Sequence, residues 1–365
     1  MPETAAPDGD AERDAARLSA QLLPGAAPDR GAGLVDVVRH LLATQAQDPR
    51  GFRLALRART RPAATADVDR APTAADVDRA LTVDRSMVVS WLNRGTLHLV
   101  AAEDWPWLHA LTTPPLRTAA ASRLARDGVP PADTDRGIAA VEAALVRDGP
   151  LLREQLREVV VAAGVRAEGQ ALVHLLFAAT MRGLLVRGPV VAGEQAFVLA
   201  RDWLPAPPPV DRDAALAELA VRYLRGHGPA TDRDLARWAG LPLGDARRGL
   251  AAVGGRLREA GSGLVDLAGR PAPGGPVRPV LLGAFDPLLL GWTSREPVLG
   301  PHLHLVTVNG IFRPVMLVGG RAVGTWRLPG GQVVLEPFGA VPAADRAALE
   351  ADAADVVRFL GSARD

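Results

Sequence analysis

The chain has 365 residues, 48% hydrophobic and 23% charged, with a formal net charge of +1; at roughly 100–200 residues per domain this suits two or three domains or several small modules. It contains no cysteine, and all 42 basic residues are arginines, which excludes disulfides, thiolate metal sites, cysteine nucleophiles and a Schiff base on a lysine amine. So even a charge balance is no sign of nucleic acid by itself, and any DNA footprint must come from arginines gathered on one face, where the planar fork suits phosphate.

The Asp-, Glu- and Ala-rich N-terminus has no basic-then-apolar leader, and no apolar run reaches the ~18–20 residues of a membrane span, the best candidate, Leu172 to Val186, being broken by Arg182. The expectation is a cytoplasmic protein whose first dozen or so residues are loose. From Gly33 to Thr44 the apolar residues Leu34, Val37, Val38, Leu41 and Leu42 recur at helical spacing, and Pro49 marks a break. Arg53 to Arg59 resumes helical character, and Thr73 is placed to cap a helix carrying Val77 and Leu81. Met87 to Val100 reads as strand, tight turn at Arg94-Gly95, strand. Helices followed by a β-hairpin is the order of a winged helix.

That order recurs. Asp135–Val146, Leu152–Ala163 and Glu168–Arg182 read as helices, followed by strands over Gly183–Arg187 and Gln195–Leu199. The four prolines from Trp203 to Pro209 read as a linker. A third round takes helices at Asp213–Arg225, at a Thr231-Asp232-Arg233-Asp234 capping box and at Leu243–Gly254, then a strand at Leu264–Leu267. From Val277 the chain becomes Gly-rich, with short strands expected at Val280–Leu282, His302–Val308, Pro314–Val318, Ala322–Trp326 and Gln332–Glu336, a hairpin turn at Gly319-Gly320, and a closing helix at Ala343–Leu360. The expected division is 12–120, 133–202 and 211–270 as three winged-helix units, 277–340 as a β-region and 341–365 as a terminal helix, in an α+β fold.

Gln45-Ala46-Gln47 is the segment of most chemical interest. On a helix, positions i and i+2 point about 200° apart, whereas in extended chain they share a side. Ending the helix near Pro49 allows the two amides to converge, although from spacing alone two solvated glutamines are the commoner arrangement. Arg94 and Gly95 fall at the hairpin tip, where an arginine can grip a phosphate. His98 follows on the returning strand; a lone histidine there is more often packed and hydrogen-bonded. Asp286, before a proline, reads as a turn residue. His302 and His304 would share a strand face, but no third ligand is evident. There is no P-loop, dinucleotide fingerprint or nucleophile elbow.

Four segments in this order, Leu41 to Pro49, Ser90 to His98, Ala284 to Pro287 and Asn309 to Pro314, resemble the AlkZ/YcaQ family of winged-helix DNA glycosylases. The resemblance spans nearly the whole chain. It implies three tandem winged-helix units in a C-shaped arrangement with a C-terminal β-barrel, and a catalytic motif that here is Gln45 and Gln47, as in the branch similar to self-resistance enzymes of producers of DNA-alkylating natural products. Asp48 and His98 are expected supports, and Arg94, Gly95 and Arg313 the expected DNA contacts. The implied substrate is duplex DNA carrying alkylated bases, with N7-alkylguanine, bulky adducts and crosslinks foremost, attacked without cofactor or metal by a monomeric enzyme that leaves an abasic site. The competing reading is a winged-helix transcriptional regulator, since that fold binds DNA without chemistry as well.

Overall fold

The computed structural model describes residues 7–27, 33–60, 71–206, 209–307 and 309–361. The chain divides into two compact units: residues 78–212 form one, and the other is assembled from residues up to 77 together with 213–365.

The discontinuous unit begins with α1 (Pro7–Ala20), so the loose terminus expected over the first dozen residues is helical from Pro7 onward; Met1 to Ala6 lie outside the described residues. Next come α2 (Leu34–Leu41), the two-residue strand β1 (Thr44–Gln45) and α3 (Pro49–Arg59), and then α4 (Ala74–Thr82), within which the chain passes at residue 78 into the continuous unit. The apolar side of α2 buries Leu34, Val37, Val38 and Leu41, the 3–4 spacing that its sequence carries. Thr73 precedes α4, and both its backbone N–H and its hydroxyl donate to Asp76 Oδ2 at 2.8 Å.

The first strands of the continuous unit are β2 (Met87–Trp91) and β3 (Leu97–Ala101), paired antiparallel with Ser90 opposite His98. Two helices that carry no clear sequence signal follow, α5 (Trp105–Thr112) and α6 (Pro114–Arg126), each with a proline in its first turn, where the missing N–H costs nothing. Then come α7 (Pro131–Asp148), α8 (Arg153–Ala162), α9 (Ala171–Met181), β4 (Leu185–Val191) and β5 (Glu194–Leu199). β2 lies between β3 and β4, and β5 pairs with β4. The core gathers Trp91, Leu124, Val141, Leu156, Leu175, Phe177, Leu185 and Phe197 between helices and strands. A helical turn, α10 (Ala200–Trp203), enters the stretch expected to be linker, of which Pro207 and Pro208 lie outside the described residues.

Back in the discontinuous unit, α11 (Arg212–His227), α12 (Asp232–Ala239) and α13 (Leu243–Ala252) precede a small hairpin of β6 (Leu257–Glu259) and β7 (Val265–Leu267). The capping box at α12 forms as its sequence specifies: Thr231 Oγ1 accepts from the Asp234 N–H at 3.1 Å, and Asp234 accepts from the Thr231 N–H at 3.0 Å. β8 (Val280–Leu282), a short helix α14 (Glu296–Leu299), β9 (Val315–Val318), β10 (Arg321–Arg327) and β11 (Val334–Pro337) follow, and α15 (Ala343–Leu360) closes the chain.

Two expectations are corrected here. The C-terminal strands form an open sheet in the order β11-β10-β9-β8, not a closed barrel. His302 to Val308 is not a strand: Leu303–Leu305 is a 3-10 turn, and Val308 lies outside the described residues. The apolar alternation there serves a tight turn that buries only Leu305. The His302 and His304 rings meet edge-on at 5.9 Å, and His302 stacks on Phe338 at 4.0 Å. Among the described residues no helix is long and apolar enough to cross a membrane.

Candidate active site

The glutamine segment lies between α2 and α3. α2 stops at Leu41 because Leu42 adopts φ 67°, ψ −49°, and the Ala43 N–H reaches back to the Leu41 carbonyl at 2.8 Å. This is a γ-turn of the rare, strained hand on a branched residue, the kind of backbone that persists only where the surroundings over-determine it, at a cost of roughly 1–3 kcal/mol. Leu41 and Leu42 are both fully buried. The turn switches the chain from helix to extended form just ahead of Gln45.

Gln45 is 7% exposed, whereas Gln47 is exposed and sits in a bend. The Gln45 amide makes no hydrogen bond among the described residues, yet its polar atoms are not sealed from solvent. Beside it, the buried Thr44 hydroxyl is both sealed and unpartnered. Asp48 has a different occupation: it is the N-cap of α3, its side chain accepting the Gly51 N–H at 2.6 Å with Pro49 in the first helical position.

α3 is held on several sides. A Cβ on Gly51 would overlap the carbonyl oxygen of Ala284, so the backbone of the Gly283-Ala284-Phe285-Asp286 turn can approach α3 only because residue 51 is glycine. That turn contains a second non-glycine residue of positive φ, Phe285 at 57°. Asp286 meets Arg59 in a two-pronged ion pair, Nη2 to Oδ1 at 2.7 Å and Nη1 to Oδ2 at 2.9 Å, with both side chains fully buried. Asp286 also accepts the Leu288 N–H at 2.9 Å, and Arg59 donates further to Gln21 Oε1 at 3.1 Å and the Ala55 carbonyl at 3.0 Å. Two residues earlier, Arg57 donates to Asp352, Asp355 and the Leu281 carbonyl, each at 2.9 Å. Burial would lower the Arg57 pKa, but the two carboxylates outweigh it and raise the value. The two arginines thus tie the helix behind the glutamines to a turn and a terminal helix more than two hundred residues away in sequence. None of Gln21, Arg57, Arg59, Asp352 and Asp355 stands out in the sequence as a site residue; arginines on a helix ordinarily read as solvated.

Arg313, also in this unit, is exposed; its N–H donates to the Leu305 carbonyl at 3.2 Å, and its neighbour Phe312 is buried against Phe285, ring centroids 5.4 Å apart.

The other candidates belong to the continuous unit. Arg94 (φ 58°) and Gly95 (φ 74°) form the turn between β2 and β3. The turn is not a free tip. Both residues are half-buried, and a Cβ on Gly95 would stand 3.4 Å from Phe177 of α9 and 3.7 Å from Leu116 of α6. Asn93 is fully buried, with neither amide atom partnered, and the Ser90 hydroxyl is likewise sealed. Sequence reading passed over both, although buried polar groups without partners are uncommon in folded proteins. His98 is 2% exposed. Its Nδ1 lies 2.9 Å from the Thr96 carbonyl and must donate to it, leaving Nε2 with a lone pair. Burial first, and the positive charge of Arg94 second, lower its pKa to about 3, so the imidazole is neutral at physiological pH.

A family model described as DNA glycosylase AlkZ-like matches residues 38–359. A curated relative from Streptomyces sahachiroi, described as an interstrand DNA cross-link repair glycosylase, is 30% identical over 335 residues, covering 80% of this chain and 84% of the relative. The solved structure of the Streptomyces sahachiroi DNA glycosylase AlkZ superposes with a TM-score of 0.73 at 26% identity, covering 98% of this chain and 97% of the other.

Proposed function

The chain belongs to the AlkZ-like family of DNA glycosylases, hydrolases acting on N-glycosyl bonds, and from that premise we propose that it releases N7-alkylated guanine from duplex DNA through Gln45 and Gln47. The observation that carries this reading is the state of Gln45: a buried side chain on an extended segment, its amide open to solvent and unpartnered, ahead of a helix that is tied down at several points.

The chemistry asks little of such a residue. Alkylation at N7 places a positive charge on the base and weakens its bond to C1′, so the leaving group departs without being protonated. As the bond lengthens, the sugar takes on oxocarbenium character. What the protein supplies is a positioned water. An amide carbonyl does not titrate in the useful range and is no strong base, but it can accept a hydrogen bond from that water and turn its lone pair towards C1′. Gln45, held by burial, sets the geometry; Gln47, exposed, reaches the water or the DNA strand. Unmodified guanine lacks the charge and does not react, which gives selectivity without a tight pocket. With no lysine in the sequence, no imine forms on a lysine side chain, and the product is an unnicked abasic strand.

We read the two helix-helix-helix-hairpin successions, α7 to β5 and α11 to β7, as winged-helix units, and with the α2-to-β3 succession they make the tandem arrangement expected from the resemblance. The name of the S. sahachiroi relative, an interstrand DNA cross-link repair glycosylase, supports extending the substrates to interstrand crosslinks; bulky adducts and a self-resistance role against DNA-alkylating compounds are what the resemblance implies. The test is base release from a duplex carrying one N7-alkylguanine, comparing the wild type with a Gln45→Ala/Gln47→Ala variant of equal stability. Free base with the wild type, a sharp loss in the variant and an unnicked product strand are expected. Release that is undiminished in the variant sinks the assignment of the glutamines.

A further inference from the structure

In the continuous unit, Trp91 and Phe197 stack with ring centroids 6.3 Å apart, and the Arg187 guanidinium of β4 rests beside that pair, its carbon 4.7 Å from the Trp91 centroid and 4.8 Å from that of Phe197, the residue opposite it on β5. The side chain is largely buried, its Nε is sealed, and it makes no hydrogen bond or ion pair among the described residues. Burial, with a smaller contribution from the positive charge of Arg153, lowers its pKa to about 10; no acid acts against this. The Arg187 Nη groups reach solvent, and no carboxylate among the described residues neutralises the charge they carry.

The surroundings consist of donors. Leu151 exchanges two backbone hydrogen bonds with Phe197, at 2.8 and 3.1 Å, which brings the N-terminus of α8 alongside. That helix begins at Arg153 and has no side-chain cap on its first N–H groups; Gln155 turns back only to the Leu152 N–H, at 2.8 Å. The one acid in this first turn, Glu154, faces Arg157 at 2.8 Å and Arg153 at 3.5 Å. A guanidinium packed against two rings with its Nη groups open to solvent, an uncapped helix start and a second arginine together suit an anion with several oxygens.

We propose that Arg187, with Arg153 and the start of α8, holds one phosphodiester of the DNA backbone. The inference rests on the reading of the chain as a DNA-acting enzyme, and it adds an anchor that lies outside the glutamine segment and reads no base.

The test is binding of a fluorescent undamaged duplex at 50 and 200 mM salt by the wild type, Arg187→Met and Arg153→Gln, with a thermal-shift series in inorganic phosphate alongside. Each phosphate contact contributes about 0.9 to the slope of log affinity against log salt, or about 3.5-fold over this fourfold range. Arg187→Met, whose unbranched side chain still packs against the rings, is expected to lose that increment. Arg153→Gln, on an exposed side chain, is expected to reduce the slope in the same direction, and it decides the matter should Arg187→Met fail to fold. An unchanged slope in the folded variants overturns the proposal and leaves the DNA reading standing; a wild type with no salt-dependent duplex binding overturns both. If phosphate stabilises the wild type but not Arg187→Met while the duplex slope stays the same, the site takes a free anion, and the DNA assignment is wrong.

Discussion

Replacing Asp286 by Asn tests whether the buried pair with Arg59 holds α3, the helix that follows the glutamine segment. The change is close to isosteric and leaves an oxygen for the Leu288 N–H, but it removes the negative charge that both Arg59 prongs meet at 2.7 and 2.9 Å. Arg59 would remain fully buried with its Nε already unpartnered and only Gln21 and the Ala55 carbonyl as neutral acceptors. Removing one partner of such a pair costs about 3–5 kcal/mol, a large share of the roughly 5–15 kcal/mol that a domain possesses. Arg59→Met/Asp286→Leu removes the stranded charge as well. It is expected to recover at least about 2 kcal/mol relative to the sum of the single changes, the coupling that a double-mutant cycle reads. Urea unfolding, followed by hydrogen exchange in residues 33–60 and 280–300, gives the energies. Base release at a temperature between the two midpoints should vanish in Asp286→Asn and return in the double variant. A single variant within 1 kcal/mol of wild type, or strictly additive changes, would show that the ion pair does not hold α3.

Two further outcomes follow from the same geometry. Asp48→Ala removes the cap of α3 and is expected to cost about 1 kcal/mol; Asp48→Asn caps equally well and should keep both stability and base release, whereas a tenfold loss of release at equal stability would reassign the carboxylate to the chemistry. Burial holds His40 at about 4 and His98 and His227 at about 3, below the unfolded value of about 6.5, so their stabilisation is complete above pH 6.5 and declines as the pH falls, because the unfolded chain takes up protons that the fold refuses. Between pH 6 and 5 the three together should cost roughly 3–4 kcal/mol by urea unfolding, and a change below 1 kcal/mol contradicts their burial as neutral groups.

The local grammar of the chain was legible where neighbours in sequence are neighbours in space. The Thr231–Asp234 box, the Thr73 cap and the hairpins at Arg94-Gly95 and Gly319-Gly320 each depend on a few consecutive residues. The break before Gln45 was legible from Pro49, but its cause was not: the helix ends earlier, at Leu42, a residue type with no preference for positive φ, and what imposes that conformation is the packing of a fully buried side chain. The strand expected at His302 failed for the converse reason, since alternation alone cannot tell a short strand from a 3-10 turn that buries a single leucine. The C-terminal strands were visible one by one, yet closure is a matter of which distant edges pair, and these edges stay open. Arg57 and Arg59 show the limit most clearly. Read along the helix they are charges for solvent; only the folded chain brings carboxylates from positions 286 and 352 to meet them.

The spacing of those partners also bears on when the enzyme becomes competent as it is made. The glutamines leave the ribosome early, but Asp286 and Asp352 follow Arg59 and Arg57 by 227 and 295 residues, and the whole continuous unit is synthesised in between. At about 5–20 residues per second the wait for Asp286 alone is roughly 10–45 s. Residues 78–212 form a compact unit of their own, while α3, behind the glutamine segment, lacks its Arg57 and Arg59 partners until Asp352 is out. A nascent or prematurely terminated chain therefore carries Gln45 and Gln47 without the ion pairs that fix the helix behind them.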